Sequence, residues 1–175
     1  MENKFCLFLI LILSAVAITV TSCDKEYYKS EEWIRNEAMK KAEDFVRSSL
    51  KNSRRDVAKN GSVIFSGKDV KCLVDPKYII TGKIDADSTK DAIVTVFTFN
   101  GANIPVKDHL IFINKNGKLE LVKEYRGEMK FLGISNQVIF IEISHAAFDS
   151  PFADCQICKE IKKYKFVSGD TVPLK

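Results

Sequence analysis

The hydrophobic residues of this chain fall into three successive patterns. Residues 5–17 are almost entirely apolar, and Lys4 supplies a positive charge just before them. Residues 31–51 place apolar side chains three and four positions apart, which is the spacing of one helical face. After Gly61 the apolar residues come in short runs bounded by turn-forming residues, which is typical of strands. We therefore predict an apolar leader, then a helix, then a β-rich region.

The predicted helix has one apolar face and one charged face. The apolar positions are Ile34, Ala38, Ala42, Phe45, Val46 and Leu50. Ser30 can cap the helix, and Glu31 and Glu32 lie in its first turn, where negative charge is favourable. The charged face mixes both signs, with Glu37 four residues before Lys41. A helix lying on a membrane would carry a basic polar face, so we predict that the apolar face packs against the protein core.

The β-rich region contains a series of candidate strands. They are residues 63–65, 70–74, 78–84, 92–99, 110–113, 119–125, 129–134, 138–143 and Lys159–Val167. Residues 92–99 form the strongest of these and are predicted to be central, whereas the charged residues 52–59 are predicted to form a loop. Asn116 and Gly117 favour a hairpin turn, and the lysines of the last strand are typical of a sheet edge. The fold class is therefore α+β, with the N-terminal amphipathic helix packed on a curved antiparallel sheet in a single domain over 31–175.

The apolar leader ends in the sequence Val-Thr-Ser-Cys at residues 20–23. A charged start, a short apolar core and small residues at its end form the layout of a secretory signal. These four residues resemble the lipobox of bacterial lipoproteins. The resemblance implies that residues 1–22 are a signal peptide, that Cys23 carries lipid on its sulfur and a fatty acid such as palmitate on its amino group, and that residues 23–30 form a tether.

Two other interpretations of the leader stay open, a plain secretory signal and a permanent membrane anchor. The apolar run is short against the about 20 residues that a membrane-spanning helix needs, and no basic cluster follows it. We expect the lipidated form, held by its lipid at a membrane of the cell envelope, on the periplasmic or the outer-surface side. Stable anchoring requires more than one acyl chain, which a fully lipidated Cys23 would supply.

Residues 45–125 resemble small exported bacterial lipoproteins in which a helix precedes a curved antiparallel sheet. The residues that carry the resemblance are Phe45-Val46-Arg47-Ser48-Ser49-Leu50, Tyr78-Ile79-Ile80-Thr81-Gly82-Lys83-Ile84-Asp85-Ala86 and Leu110-Ile111-Phe112-Ile113-Asn114. Those lipoproteins are uncharacterised. The resemblance therefore implies a cystatin-like architecture and no activity.

The charge of the chain argues against a nucleic-acid partner. Its net charge is +4, and the basic residues are interspersed with acidic ones instead of forming a concentrated basic face. Export from the cytoplasm argues in the same direction. The remaining partners are the membrane, through the lipid, and an envelope protein.

The segment 85–91 is a candidate cation site. Asp85, Asp87 and Asp91 place oxygen-bearing side chains at alternate positions, which resembles the start of a calcium loop. The segment lacks the glycine that makes the sharp turn of such loops, and position twelve is Val96 instead of a glutamate. The alternative is a hairpin connection built from turn-forming residues.

Cys155 and Cys158 form a CxxC motif, and Cys72 is the one other cysteine that follows Cys23 in the sequence. In an exported protein these residues can form a structural disulfide, remain as free or partner-linked thiols, or act as a redox pair. Together with His145 they also supply the four ligands of a zinc site. The expected form is a structural disulfide, whose pairing the spacing leaves open.

His145 lies near Asp149 and Asp154, and a histidine beside carboxylates can do acid–base chemistry. No activated nucleophile accompanies it in the sequence, so we expect a loop or capping role. Phe148 and Phe152 in the same loop are expected to fold back over the sheet rather than contact a partner.

The functional expectation follows from a strong anchor signal without a complete catalytic set. The chain is predicted to be a membrane-anchored envelope lipoprotein that acts as a non-enzymatic binding or structural module without a cofactor. The alternative is an exported thiol-redox or metal-dependent enzyme centred on Cys155, Cys158 and His145.

Overall fold

The computed structural model describes residues 30–101, 104–144 and 159–174. Within them one helix, α1 (Glu31–Ser49), leads into the sheets. Ser30 caps it, since its side-chain oxygen accepts a hydrogen bond from the backbone N–H of Trp33 at 3.1 Å. The predicted apolar stripe is confirmed, because Ile34, Ala38, Ala42 and Val46 on one face are all buried.

In the part of the chain that the structure describes, ten strands follow the helix and form two sheets. The strands are β1 (Arg54–Val57), β2 (Val63–Ser66), β3 (Lys71–Gly82), β4 (Asp91–Phe99), β5 (Val106–Asn114), β6 (Leu119–Arg126), β7 (Met129–Ser135), β8 (Val138–Ser144), β9 (Lys159–Val167) and β10 (Asp170–Pro173). Sheet A has the order β1-β2-β3-β4-β5-β6, and sheet B has the order β10-β9-β8-β7. Every pairing joins strands that are consecutive in the chain and antiparallel.

Sheet A is buried on both faces, so the described fold has three layers. Side chains of β2–β6 that point toward α1 form one core with the helix, as Val74, Val94 and Leu110 illustrate. The neighbouring residues Ile93 and Ile111 point the other way and join Ile139 of sheet B in a second core. This alternation is the side-chain period of a strand and explains why β4 is apolar along most of its length.

The two sheets meet closely where β3 ends. A Cβ atom placed on Gly82 would lie only 2.6 Å from the Cβ of Ile134 on β7. Real Cβ atoms do not approach that closely, so glycine is what allows β7 to lie against β3. This contact joins the edge of sheet B to the middle of sheet A.

An irregularity in β3 is held from outside by the helix. The register of β3 against β4 shifts between Val74 and Ile79. Arg35 of α1 donates from Nη1 to the carbonyl of Ile79 at 2.9 Å and from Nη2 to the carbonyl of Pro76 at 2.7 Å. The arginine therefore satisfies carbonyls that the shifted segment presents and joins the start of α1 to the sheet.

The α+β class and the helix-first, antiparallel arrangement are confirmed, but four details of the prediction were wrong. The single sheet is two sheets, and segments 70–74 and 78–84 belong to one long strand. The predicted loop 52–59 contains β1. Strand β9 is not at an edge, because β10 pairs with it on the outside. Among the described residues, no helix has both the length and the apolar character needed to cross a membrane.

Candidate functional site

The predicted site residues fall into two groups. Cys72 lies on β3, and Asp85, Asp87 and Asp91 lie between β3 and the start of β4. Cys23, His145, Cys155 and Cys158 lie outside the described residues, as do Phe148 and Phe152. The predictions of lipid attachment, disulfide, redox pair and zinc site at those positions therefore stay predictions.

A cavity of about 310 Å³ lies at the C-terminal end of α1, between the helix and sheet A. We call it the cysteine pocket; it is lined by Phe45, Val46, Ser49, Leu50, Val70, Cys72, Val96, Thr98, Asp108, Glu124 and Arg126. Its charged groups come from β5 and β6, and smaller polar groups come from α1, β3 and β4. A small ligand site typically combines apolar walls with a few polar groups in this way.

A chain of polar contacts crosses the cysteine pocket. Cys72 Sγ lies 3.4 Å from Thr98 Oγ1, and the same hydroxyl donates to Asp108 Oδ2 at 3.4 Å. Asp108 Oδ1 accepts from Arg126 Nε at 2.6 Å. Because the threonine proton goes to the carboxylate, the thiol of Cys72 is the donor in its own contact. Asp108 is almost fully buried, whereas Arg126 is largely exposed. The series of polar contacts therefore ends at the protein surface, at the guanidinium of Arg126.

The surroundings of Cys72 favour the thiol form. The side chain is buried among the residues of the helix-facing core, and burial raises its pKa above the usual range. The thiolate is the reactive form of cysteine, so this group is protected from both oxidation and metal binding. Cys72 forms no disulfide within the described part of the chain.

The aspartates of segment 85–91 make hydrogen bonds within the protein. Asp85 and Asp87 each accept a backbone N–H two residues ahead, from Asp87 at 3.1 Å and from Thr89 at 2.7 Å. Asp91 is fully buried and accepts from the backbone N–H of Ile84 at 2.7 Å and of Asn114 at 2.9 Å. It therefore joins the β3–β4 connection to the end of β5.

This geometry gives the aspartates a structural role. Burial raises the pKa of Asp91 to about 6, and burial also raises the pKa of Asp85. A bound cation would require these carboxylates to converge as charged ligands. Among the described residues, no group of three or more histidine, cysteine, aspartate or glutamate side chains is arranged to hold a metal ion. The calcium site stays a prediction that these contacts do not favour.

A second cavity of about 230 Å³ lies on the opposite side of sheet A, against β7. We call it the histidine pocket; it is lined by Tyr78, Thr95, Phe97, Lys107, His109, Met129, Lys130 and Phe131. Four of its rings form two close pairs, with centroids 4.6 Å apart for Tyr78 and Phe97 and 4.9 Å apart for His109 and Phe131. Such a pocket suits a flat apolar group.

His109 is a buried residue of β5, and both its ring nitrogens make hydrogen bonds. Nε2 lies 3.3 Å from the carbonyl of Gly127, which can only accept, so Nε2 carries the proton. Nδ1 then accepts from the hydroxyl of Thr95 at 3.0 Å. Burial lowers the pKa of His109, which keeps the ring neutral. The histidine orders the floor of the pocket and is not placed as a general base.

The sequence did not single out Thr98, Asp108 or Arg126. These residues are far apart in the chain and meet only through the register of β4, β5 and β6. The one signal available was the Asn116–Gly117 turn, which indicates that β5 and β6 pair but not which residues lie opposite each other beyond the register shift.

Comparisons of the chain with protein-family models, with curated proteins and with solved structures found no match.

Proposed function

We propose that this chain is a lipid-anchored protein of the cell envelope whose domain acts as a non-enzymatic binding module. The observation that carries the proposal is the position of Cys23, at the end of a short apolar leader and directly after Val-Thr-Ser. All described elements begin at or after residue 31, so the folded domain lies entirely on the C-terminal side of that cysteine.

The described chemistry supports binding in preference to catalysis. The thiol of Cys72 and the ring of His109 lie on opposite faces of sheet A, so they cannot form a nucleophile–base pair. Each group also makes hydrogen bonds within the protein. Burial raises the pKa of Cys72 and lowers the pKa of His109, and both shifts favour the neutral form of the side chain. The alternative of a thiol-redox or metal-dependent enzyme rests on Cys155, Cys158 and His145, outside the described residues.

The cysteine pocket is the binding site that this proposal favours. Its volume of about 310 Å³ suits a small ligand, and its walls are mostly apolar. Arg126 provides a charged donor at its rim, and the buried carboxylate of Asp108 provides a charged acceptor in its wall. A small apolar molecule with one polar end fits these features. The helix-first antiparallel layout of α1 and sheet A also supports the cystatin-like comparison, as an architecture only.

Metabolic labelling with a fatty acid tests the anchor. Wild type and the Cys6→Ala variant are expected to incorporate label equally, because Cys6 belongs to the predicted signal peptide. Cys23→Ala is expected to incorporate none and to leave the membrane fraction. Equal label in wild type and Cys23→Ala would contradict the proposal.

Thiol counting and metal analysis on the purified chain separate the binding module from the enzyme. A binding module is expected to contain no stoichiometric zinc, and its cysteines should not cycle between reduced and oxidised forms under mild conditions. Stoichiometric zinc, or a readily reducible Cys155–Cys158 pair, would favour the enzyme.

A further inference from the structure

The outer face of sheet B, which points away from sheet A, combines lysines with exposed apolar side chains. Tyr164 and Phe166 of β9 pack into the core between the sheets. Side chains alternate along a strand, so Lys163 and Lys165 must point outward. We call this outer side the lysine face and define it by Lys130, Lys159, Ile161, Lys163, Lys165 and Val172.

The strand register places each central lysine beside apolar neighbours. Lys165 lies opposite Val138 of β8 and opposite Val172 of β10, while Lys163 lies opposite Phe140. The apolar side chains are unusually exposed for their type, at 60% for Ile161 and 46% for Val172. Leu132, Val167 and Leu174 are exposed large apolar residues of the same sheet. The lysine face is therefore an array of apolar side chains and cations.

The charge of the face is mostly uncompensated. Lys159 lies 3.8 Å from Glu142, an acidic residue of this face that is also opposite Lys130 in the strand register. Among the described residues, Lys130, Lys163 and Lys165 are in no ion pair. Three ammonium groups thus face solvent across two strands, Lys130 on β7 and the other two on β9, with β8 between them.

We propose that the lysine face docks on the surface of a bilayer that contains anionic phospholipid. The apolar side chains enter the interfacial region, and the lysines extend along them to place their ammonium groups on the phosphates. A broad sheet face with cations on separate strands matches a planar array of phosphates better than it matches a single acidic peptide. The inference rests on the proposed function, since the anchor on Cys23 holds the domain at that bilayer.

The position at which the chain enters the domain is compatible with this orientation. The predicted tether 23–30 spans about 25 Å when extended. Glu31, the first residue of α1, pairs with Lys90 at 2.8 Å beside the start of β4. Gly82 pairs with Asp91 at the same end of the sheet and contacts Ile134 on β7, at the edge of sheet B. The tether therefore joins α1 at the end of sheet A that lies next to the edge strand of sheet B.

Lysine footprinting on the full chain tests the docking. The chain is reconstituted into vesicles of phosphatidylcholine alone and into vesicles of equal parts phosphatidylcholine and phosphatidylglycerol, then treated with an amine-reactive label. We expect labelling of Lys163 and Lys165 to slow several-fold in the anionic vesicles only. Lys40 and Lys51, exposed at α1 and just beyond its end, should label at the same rate in both.

A charge-reversal pair provides the matched variants. Lys163→Glu with Lys165→Glu should abolish the protection of Lys130 and Lys159 in anionic vesicles. Lys40→Glu with Lys51→Glu changes the net charge equally and should preserve it. Urea unfolding of both variants checks that the fold is retained.

The outcomes separate this inference from the proposed function. If the lysines are protected in anionic vesicles but Cys23 carries no acyl groups, the docking of the lysine face is supported and the lipid anchor is contradicted. If Cys23 is acylated but the lysines label at equal rates in both kinds of vesicle, the lipid anchor is supported and the docking of the lysine face is overturned. Protection that rises with protein concentration in neutral detergent would show a second copy on this face and would also overturn it.

Discussion

Replacing Asp91 with asparagine tests how a buried carboxylate stabilises sheet A. In the wild type its two oxygens accept the backbone N–H groups of Ile84 and Asn114. Asparagine has nearly the same shape, but its amide nitrogen cannot accept a hydrogen bond. One buried N–H group is then unpaired, which costs about 1–3 kcal/mol at any pH.

The wild type also loses stability as the pH rises, and the Asp91→Asn variant does not share this loss because asparagine does not ionise. The pKa of Asp91 is raised from 3.8 to about 6, so the folded protein holds its proton more tightly than the unfolded chain does. The stability contribution of the protonated group is complete below about pH 4 and is lost as the pH rises through about 6. Each pKa unit corresponds to about 1.4 kcal/mol, so the loss is about 3 kcal/mol.

These two terms predict a change in the order of stability with pH. At about pH 4 the Asp91→Asn variant should be less stable than the wild type by about 1–3 kcal/mol. At about pH 7.5 the difference should vanish or reverse, because only the wild type then buries a charge. Urea unfolding followed through Trp33, the single tryptophan of the chain, measures both values.

The exposed Asp69, in the connection between β2 and β3, provides the control. Asp69→Asn should change stability little at either pH. If wild type and Asp91→Asn differ by the same free energy at both pH values, the reasoning about Asp91 is wrong.

Three further predictions concern contacts between the layers. Gly82→Ala should lower the free energy of unfolding by about 1–3 kcal/mol in urea titrations, because its Cβ meets the Cβ of Ile134. Equal stability of Gly82→Ala and the wild type would contradict this close approach of β7 to β3. Arg35→Gln should destabilise by about 2 kcal/mol, since two carbonyls of β3 lose a charged donor; an unchanged thermal midpoint would contradict this. Cys72 should react with a maleimide far more slowly in the folded chain than in urea, and equal rates would show that its burial is not maintained.

Elements with strong periodicity were predictable from the sequence. The apolar stripe of α1 gave its start correctly, and the run 92–99 matched β4 to within one residue. The hairpin turn at Asn116 and Gly117 was also recognised, and both residues adopt positive φ. In these cases local propensity and tertiary packing favour the same structure.

The missed elements lack that periodicity. All four residues of β1 are exposed, so Arg54–Val57 shows no alternation and resembles a loop. Strand β3 was divided in the prediction because Asp75, Pro76 and Lys77 interrupt its apolar pattern at the register shift. The division into two sheets follows the short connection after β6, at Gly127, and a hydrophobic pattern does not show where one sheet ends.

The cysteine pocket could not be predicted from the sequence, for a related reason. Counting from the Asn116–Gly117 turn would place Asp108 one residue away from its true partner, Arg126. A register shift between Ile111 and Phe112 accounts for the difference. Sequence can therefore propose that β5 and β6 pair, whereas the contacts of an individual side chain depend on an irregularity that only the structure shows.

The proposed function depends on lipid at residue 23, which would hold this domain at a membrane. Mass spectrometry of the N-terminal peptide of the protein purified from membranes tests for that lipid. We expect a peptide that begins at Cys23 and carries a diacylglyceryl group with a further acyl chain on its amino group. A peptide that begins at Met1, or one that begins at Cys23 with an unmodified thiol, would contradict it.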